Sequence, residues 1–473
     1  MTVFHFTKQM AGWVFLAALA SSMAFAAGTD TNATTASPPA TAPKIATNTN
    51  EALAGTYTLP DPLLLRNGAP VRDAKTWLEQ RRPEILNLYR EQIYGKSPAP
   101  PKMRFNVWDV DRHALGGAAI RKQIDISFPG HPDGPVFHVL LYTPAKAKAP
   151  APVFLCLSFS GNYKTTTDPD VKIYETWDRK KETRQMPTDA TRGTSHSWKI
   201  PETIARGYGV AVVDYNDIEP DFADGTGGKL GVRGMFPDSV GPDRASDAWG
   251  AISAWAWGAS RVLDYLVTDP DVDRKRVIML GQSRLGKTAL WAGAQDTRFA
   301  MVVASCSGEM GASLARRNFG ETVTTMCKSF PYQFCPNFLN YASHTEGIPV
   351  DAGMPVDSHF LVSLIAPRPL YLNTGSLDLW SDPHGEFEAA IAAAPVYRLF
   401  GEKSVVTDLP PLPASGGSGP FLTSDFLNKF PMPPLDQAVM HDIGFSCHTG
   451  KHDILPADWD RFLDFADGHL GKK

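Results

Sequence analysis

Val277 to Leu290, VIMLGQSRLGKTAL, is the stretch that decides how this chain folds. Val277-Ile278-Met279-Leu280 is an unbroken apolar run, as a strand buried on both faces requires. The run breaks at Gly281-Gln282-Ser283-Arg284, and a segment with helical spacing follows at Leu285. A strand that turns sharply into a helix lifts the side chain at the turn out of the sheet edge. The spacing therefore predicts a Ser283 hydroxyl aimed at substrate. The common form of this elbow is Gly-x-Ser-x-Gly. Here Leu285 stands in the second glycine's place and Gly286 comes one residue late. The bare pattern carries little weight, since serine between glycines is frequent in loops.

The flanking sequence strengthens it. Upstream, Asp73 to Tyr94 has helical spacing, Trp108 to Phe128 reads as extended structure, and Phe137 to Tyr142 as a strand. Strands are then predicted at Pro152–Phe159, Gly209–Tyr215, Val277–Leu280, Met301–Ser305 and Leu370–Thr374. Helices are predicted at Ala245–Thr268, Leu285–Ala294, Glu386–Ala394 and Asp458–Leu470. Buried strands alternating with amphipathic helices imply a mainly parallel central sheet sandwiched between helices, with ligands at the strand C-termini. Two stretches break the rhythm, the polar insertion Gly161–Lys199 and the aromatic-rich Cys327–Pro355. Both are expected to build a site wall, the first with a disordered insertion as its alternative.

A serine hydroxyl needs a base, and the base needs a group that fixes its tautomer. In sheets of this kind the chain order is serine, acid, histidine. Asp378 follows the strand Leu370–Thr374, where the acid belongs. Asp382, before Pro383, is the rival, but suits a helix cap better. The stretch Gly444 to Asp453 reads as a loop before the last helix and offers His448 and His452. His452 is preferred as the base, leaving His448 to line the pocket or brace the loop.

The ends and the composition set limits. Of 473 residues 43% are hydrophobic and 20% charged, the net charge is −4, and no long basic run exists. That argues for a large globular enzyme and against nucleic-acid binding. Residues 1–26, with Lys8, the apolar Met10–Ala20 and Ala24-Phe25-Ala26, read as a cleaved export signal, which places the protein outside the cytoplasm, secreted or periplasmic and free of the membrane. Residues 27–52, rich in Ala, Thr, Pro and Asn, read as a disordered linker, leaving 53–473 as one catalytic domain. Of five cysteines, Cys156 is expected to be a buried thiol. Cys327 with Cys335 and Cys306 with Cys447 are possible disulfides. No Cys-x-x-Cys exists, and neither a metal nor a cofactor is expected.

Several motifs together resemble one family. They are GQSRLGK from Gly281, SGEMGASLARRNFGET from Ser307, LIAPRPLY from Leu364, LDLWSDPHGEF from Leu377 and HTGKHD from His448, with RRPEIL from Arg81 and IYGKSP from Ile93 upstream. The chain resembles the glucuronoyl esterases, carbohydrate esterase family 15, in a bacterial form, over roughly Leu59 to Leu470. The resemblance implies an α/β-hydrolase fold with an open cleft. It implies cleavage, through an acyl-enzyme, of esters between lignin alcohols and the glucuronic acid (often 4-O-methylated) of xylan, by a monomer. It makes Ser283 the nucleophile, His452 the base and Arg284 an oxyanion partner. It makes Lys287, Glu321 and Trp380 sugar-binding residues, with His448 beside them. Many members carry a catalytic glutamate about where this chain has Cys306. The acid is then expected to be Asp378, the alternative place, with Glu309 a nearby rival. Another carbohydrate or uronate esterase and a non-catalytic sugar-binding relative are the competing readings.

Overall fold

The computed structural model describes residues 47–471 apart from His196 and Glu346. Its centre is a ten-stranded sheet in the order β1-β2-β3-β7-β4-β8-β9-β10-β12-β11. These strands are β1 (Arg104–His113), β2 (Ala119–Ser127), β3 (Phe137–Pro144), β4 (Ala151–Ser158), β7 (Gly209–Asp214), β8 (Val272–Gln282), β9 (Phe299–Ser305), β10 (Leu370–Gly375), β11 (Ala438–Met440) and β12 (Ile443–His448). A separate hairpin pairs β5 (Thr176–Asp178) with β6 (Thr183–Gln185). The six central strands β7, β4, β8, β9, β10 and β12 run parallel. The pairings at both edges are antiparallel.

The apolar runs explain the layering. Successive strand residues point to opposite faces. Val153 and Leu155 of β4, with Val277 and Met279 of β8, join the core that covers one face. Phe154 and Cys156, with Ile278 and Leu280, join the core that covers the other. The first core holds α3 (Ala251–Leu266) and α4 (Arg284–Gln295), backed by α1 (Arg82–Gln92). The second holds α2 (Ile200–Ala205) and α6 (Pro456–Leu470). Helix α3 is buried at every position but Asp264, as a helix with apolar residues on all sides must be. The predicted strands and helices are all present, with shifted ends, and α5 spans Pro383–Ala392.

Three expectations are corrected. The segment predicted as a loop from Gly444 holds strand β12, whose Phe445 and Cys447 are core residues, so the loop begins only at Thr449. The linker assigned to 27–52 is not disordered at its end. Asn48 donates to the Asn318 carbonyl at 2.5 Å and accepts from Gly320 N–H at 2.8 Å, and Glu51 opens a 3₁₀ turn and pairs with Arg317. The expected export signal and most of that linker lie outside the described residues. The insertion, for which disorder was only the alternative reading, is folded onto the sheet: its buried Asp168 accepts from Arg121 at 2.8 Å and from the Tyr142 hydroxyl at 2.7 Å. All five cysteines are free thiols. Cys306 follows β9 and Cys447 lies on β12, with β10 between them. Strands two places apart are separated by roughly 9–10 Å, beyond the reach of a disulfide. Cys327 and Cys335 instead contact the Phe338 and Glu91 carbonyls. Cys156 is a buried thiol, as its place in an apolar strand predicts.

Candidate active site

Ser283 sits between β8 and α4 with φ +59° and ψ −131°. A non-glycine residue there is strained, by about 1–3 kcal/mol, and the strain is what projects the side chain. The two glycines have steric reasons. A Cβ on Gly281 would lie 1.9 Å from the Leu285 carbonyl oxygen. A Cβ on Gly286 would meet the Ser305 carbonyl at 2.9 Å and Ser307 Cβ at 3.0 Å. The late glycine lets α4 press against the end of β9, while Leu285 is fully buried in the core.

The backbone N–H of Ser283 donates to the Ser305 carbonyl at 2.8 Å, so Cys306 stands beside the serine. Cys306 itself has φ +46° and is pinned by its N–H to the Asn373 carbonyl at 2.6 Å. Asp378 follows β10 in a tight turn closed by its own N–H on the Gly375 carbonyl. Its Oδ2 lies 2.6 Å from His452 Nδ1, and the Ser381 hydroxyl approaches the same nitrogen at 3.3 Å. The Cys306 Sγ, an Asp378 oxygen and a His452 ring nitrogen lie within 4.8 Å of one another. Burial favours the neutral form of Asp378, but hydrogen bonds from His452, Ser381 and Cys306 outweigh it and hold the carboxyl below its ordinary range. Ser283, Asp378 and His452 thus follow the C-terminal ends of three parallel strands of one sheet, β8, β10 and β12. Among the described residues no hydrogen bond joins Ser283 Oγ to His452, a contact that commonly tightens only with substrate bound.

Neither rival acid hydrogen-bonds His452 among the described residues. Asp382 caps α5 through Gly385 N–H at 3.0 Å and accepts from Arg317 Nε at 2.9 Å. Glu309 is fully buried, its two oxygens have no hydrogen-bond partner, and burial pushes its carboxyl well above the ordinary range. His448, placed with the substrate-binding residues by the sequence reading, is corrected to a brace. Its side chain is sealed from solvent, with Nε2 3.0 Å from the Lys451 carbonyl and Nδ1 3.0 Å from Asp458 Oδ2, an ion pair whose angle falls short of a hydrogen bond.

The remaining expected residues form two groups flanking Ser283. Lys287, one turn into α4, donates to Glu321 Oε2 at 3.3 Å. The Trp380 indole N–H donates to the other oxygen of the same carboxylate, while the residue as a whole is 42% exposed. On the other side Arg284 binds the buried carboxylate of Asp221, and its guanidinium lies 5.5 Å from the Phe330 ring centre. Asp221 also accepts from the Tyr215 hydroxyl at 2.8 Å and from the Tyr332 hydroxyl, and it pairs at 3.2 Å with Arg179 of the insertion, whose Nε donates to the Asp221 backbone carbonyl at 2.8 Å. The Arg284 Nε–H is buried and unpartnered. A buried donor without a partner is costly unless an anion fills the place in front of it.

Asp221 and Ser381 escaped the sequence reading, because an aspartate inside an irregular segment and a serine in a turn carry no signal. Glu386 escaped as well. It is buried beneath the site, accepting from Ser307 Oγ at 2.9 Å and Gly308 N–H at 2.7 Å, and its carboxyl is pushed up to about 8, first by burial and then by the nearby Asp378. Its position in α5, one face of which meets the 307–308 turn, was visible only once the strands were placed.

A mainly parallel sheet with a strained serine elbow and a strand-end Asp–His pair defines an α/β hydrolase. The comparisons narrow the class. Residues 180–401 match a family model described as glucuronyl esterase, fungi. The chain is 40% identical over 430 residues to carbohydrate esterase MZ0003 from an unknown prokaryotic organism, covering 89% of this chain and 92% of that one. Its structure is similar to that of a glucuronoyl esterase from Solibacter usitatus, with TM-score 0.79 and 42% identity over 89% of this chain and all of the other. It is also similar to that of a glucuronoyl esterase from Teredinibacter turnerae, with TM-score 0.72 and 31% identity over 90% and 93% of the two chains. The chain belongs to the glucuronoyl esterases, carbohydrate esterase family 15. It is accordingly a carboxylic ester hydrolase.

Proposed function

We propose that Ser283, His452 and Asp378 are the catalytic residues, and that the substrate is an ester of glucuronic acid, 4-O-methylated or not, carried on xylan and linked to a lignin alcohol. A relative from Podospora anserina, 36% identical over 174 residues, about a third of each chain, bears the name 4-O-methyl-glucuronoyl methylesterase. The observation that carries the reading is the pair of groups either side of Ser283: a lysine–glutamate–tryptophan trio suited to sugar hydroxyls and a sugar face, and an arginine with a free buried donor suited to an oxyanion.

His452 takes the Ser283 proton as Oγ attacks the ester carbonyl. Asp378 on Nδ1 leaves Nε2 free for that proton and stabilises the imidazolium. The oxyanion is met by the Arg284 Nε–H and the N–H groups at the start of α4; one such donor is typically worth about 3–4 kcal/mol in the transition state. The imidazolium then protonates the leaving alcohol, and water, activated by the same histidine, hydrolyses the glucuronoyl-enzyme. Lys287 and Glu321 read the sugar hydroxyls by charge-assisted hydrogen bonds. An exported, monomeric protein fits this substrate, which lies in plant cell-wall material.

The test is hydrolysis of benzyl glucuronate beside methyl glucuronate and an acetylated sugar, with Ser283→Ala as control. Turnover of the benzyl ester, reduced at least ~10³-fold in the variant, supports the proposal. Serine-dependent turnover of the acetylated sugar alone overturns the substrate, and turnover that survives in Ser283→Ala overturns the nucleophile.

A further inference from the structure

We infer that Cys306, His452 and Asp378 form a binding site for a thiophilic divalent cation such as Zn²⁺ or Cd²⁺, and that filling it silences the esterase. Sγ, a ring nitrogen and a carboxylate oxygen from these residues already lie within 4.8 Å of one another. Around a tetrahedral Zn²⁺ with bonds of about 2.0–2.3 Å, donor atoms stand roughly 3.3–3.8 Å apart. The three therefore need to shift by only about an ångström, mainly by opening the 2.6 Å contact between His452 Nδ1 and Asp378 Oδ2.

The sequence determines which part is rigid and which part moves. Cys306 is fixed by its left-handed backbone and by its N–H on Asn373. Asp378 is held by its turn at the end of β10. His452 lies on the loop after β12 with its side chain 37% exposed, so it can swing and gives the cation a way in from solvent. One thiolate, one imidazole and one carboxylate with water in the fourth position is a ligand set zinc accepts. The thiolate selects against Mg²⁺ and Ca²⁺, which prefer oxygen.

The proton balance explains the silencing. In the free enzyme Nδ1 carries the proton facing Asp378, and Nε2 holds the lone pair that receives the Ser283 proton. Coordination takes the Nδ1 lone pair, so that proton moves to Nε2. The thiol releases one proton to solvent as the Cys306–metal bond forms. Bound through Nδ1, the imidazole remains neutral but has no lone pair left to serve as base. The inhibition rests on the proposed role of His452, whereas the binding does not.

The experiment uses the full chain and two readouts. Cd²⁺ titration without substrate should give thiolate-to-metal charge-transfer absorbance in the ultraviolet at one ion per chain, with one proton released, absent from Cys306→Ser and weakened in His452→Ala. Zn²⁺ should inhibit benzyl glucuronate hydrolysis reversibly on addition of EDTA. In Cys306→Ser and Cys306→Ala the inhibitory concentration, measured against each variant's own zinc-free rate, should rise by at least about tenfold. Absence of the charge-transfer band in the wild-type protein overturns the site, even if the ester proves not to be a substrate. A band accompanied by zinc inhibition that is equal in wild type and both Cys306 variants overturns the link between the site and silencing.

Discussion

Two Asp–His pairs draw their histidines from the same C-terminal segment, four residues apart, and they have opposite exposures. His448 and Asp458 meet at 3.0 Å with both side chains sealed from solvent. His452 and Asp378 meet at 2.6 Å with the histidine 37% exposed. A carboxylate on one ring nitrogen is common to both, so it cannot be what distinguishes a base. The second nitrogen distinguishes them. In His448 it is taken by the Lys451 carbonyl; in His452 it has no partner among the described residues. The first pair joins β12 to α6 and so fixes the loop that presents the second.

The comparison can be broken most severely at Asp378. Asp378→Asn should lower kcat by roughly 10⁴-fold, through the wrong imidazole tautomer, with thermal unfolding little changed. Equal loss in the melting temperature would show that Asp378 is structural. The converse is expected of His448→Gln. It should destabilise the fold by about 3 kcal/mol, as when one partner of a buried pair is removed, while kcat at a temperature where the variant is folded stays within a few-fold of wild type. Urea unfolding and initial rates on the same preparation separate the two outcomes.

A pH series sharpens the same contrast. Burial disfavours the His448 imidazolium, but Asp458 and the Lys451 carbonyl outweigh burial and raise the histidine above its ordinary value of 6.5. The folded state therefore binds the proton more tightly than the unfolded state. The stability difference between wild type and His448→Gln should be full below pH 6.5 and shrink as pH rises through the raised value. The smallest effect on turnover is expected at Glu386, which acts on stability instead. Its carboxyl is neutral in the folded state up to about pH 8 but ionises near 4.5 when unfolded, so it makes stability fall as pH rises between those values. Glu386→Gln keeps the acceptor oxygen for Ser307 and Gly308 and should flatten that fall.

Much of this was legible in the residues. Unbroken apolar runs marked the parallel strands, and Ser283, Asp378 and His452 could be proposed from sequence because each follows or precedes a recognisable element. Lys287 was singled out by the resemblance, and its register one turn into α4 sets it against Glu321. The segment holding β12 was misread because Gly444, Ser446 and His448 dilute a strand that is apolar only at alternate positions. His448 was misplaced for the same reason, since a residue at the end of a buried strand points into the fold. The Cys306–Cys447 guess failed because sequence gives no measure of how many strands separate two cysteines, and the Cys327–Cys335 guess because the two thiols turn to different carbonyls. Asp221 and Glu386 act on the site through other side chains, and a carboxylate of that kind is visible only when its partners have been brought to it.

The ties of Asn48 to Asn318 and Gly320 reach the residue next to Glu321. The segment around Asn48 is therefore a splint for the loop that carries Glu321. Proteolytic trimming past Asn48, by a host enzyme or by a choice of cloning boundary, would leave the Ser283 elbow untouched and loosen the loop that carries Glu321. A protein cut at Ala54 should show a raised KM for glucuronate esters at nearly unchanged kcat, so that the length of the tail becomes a means of setting affinity.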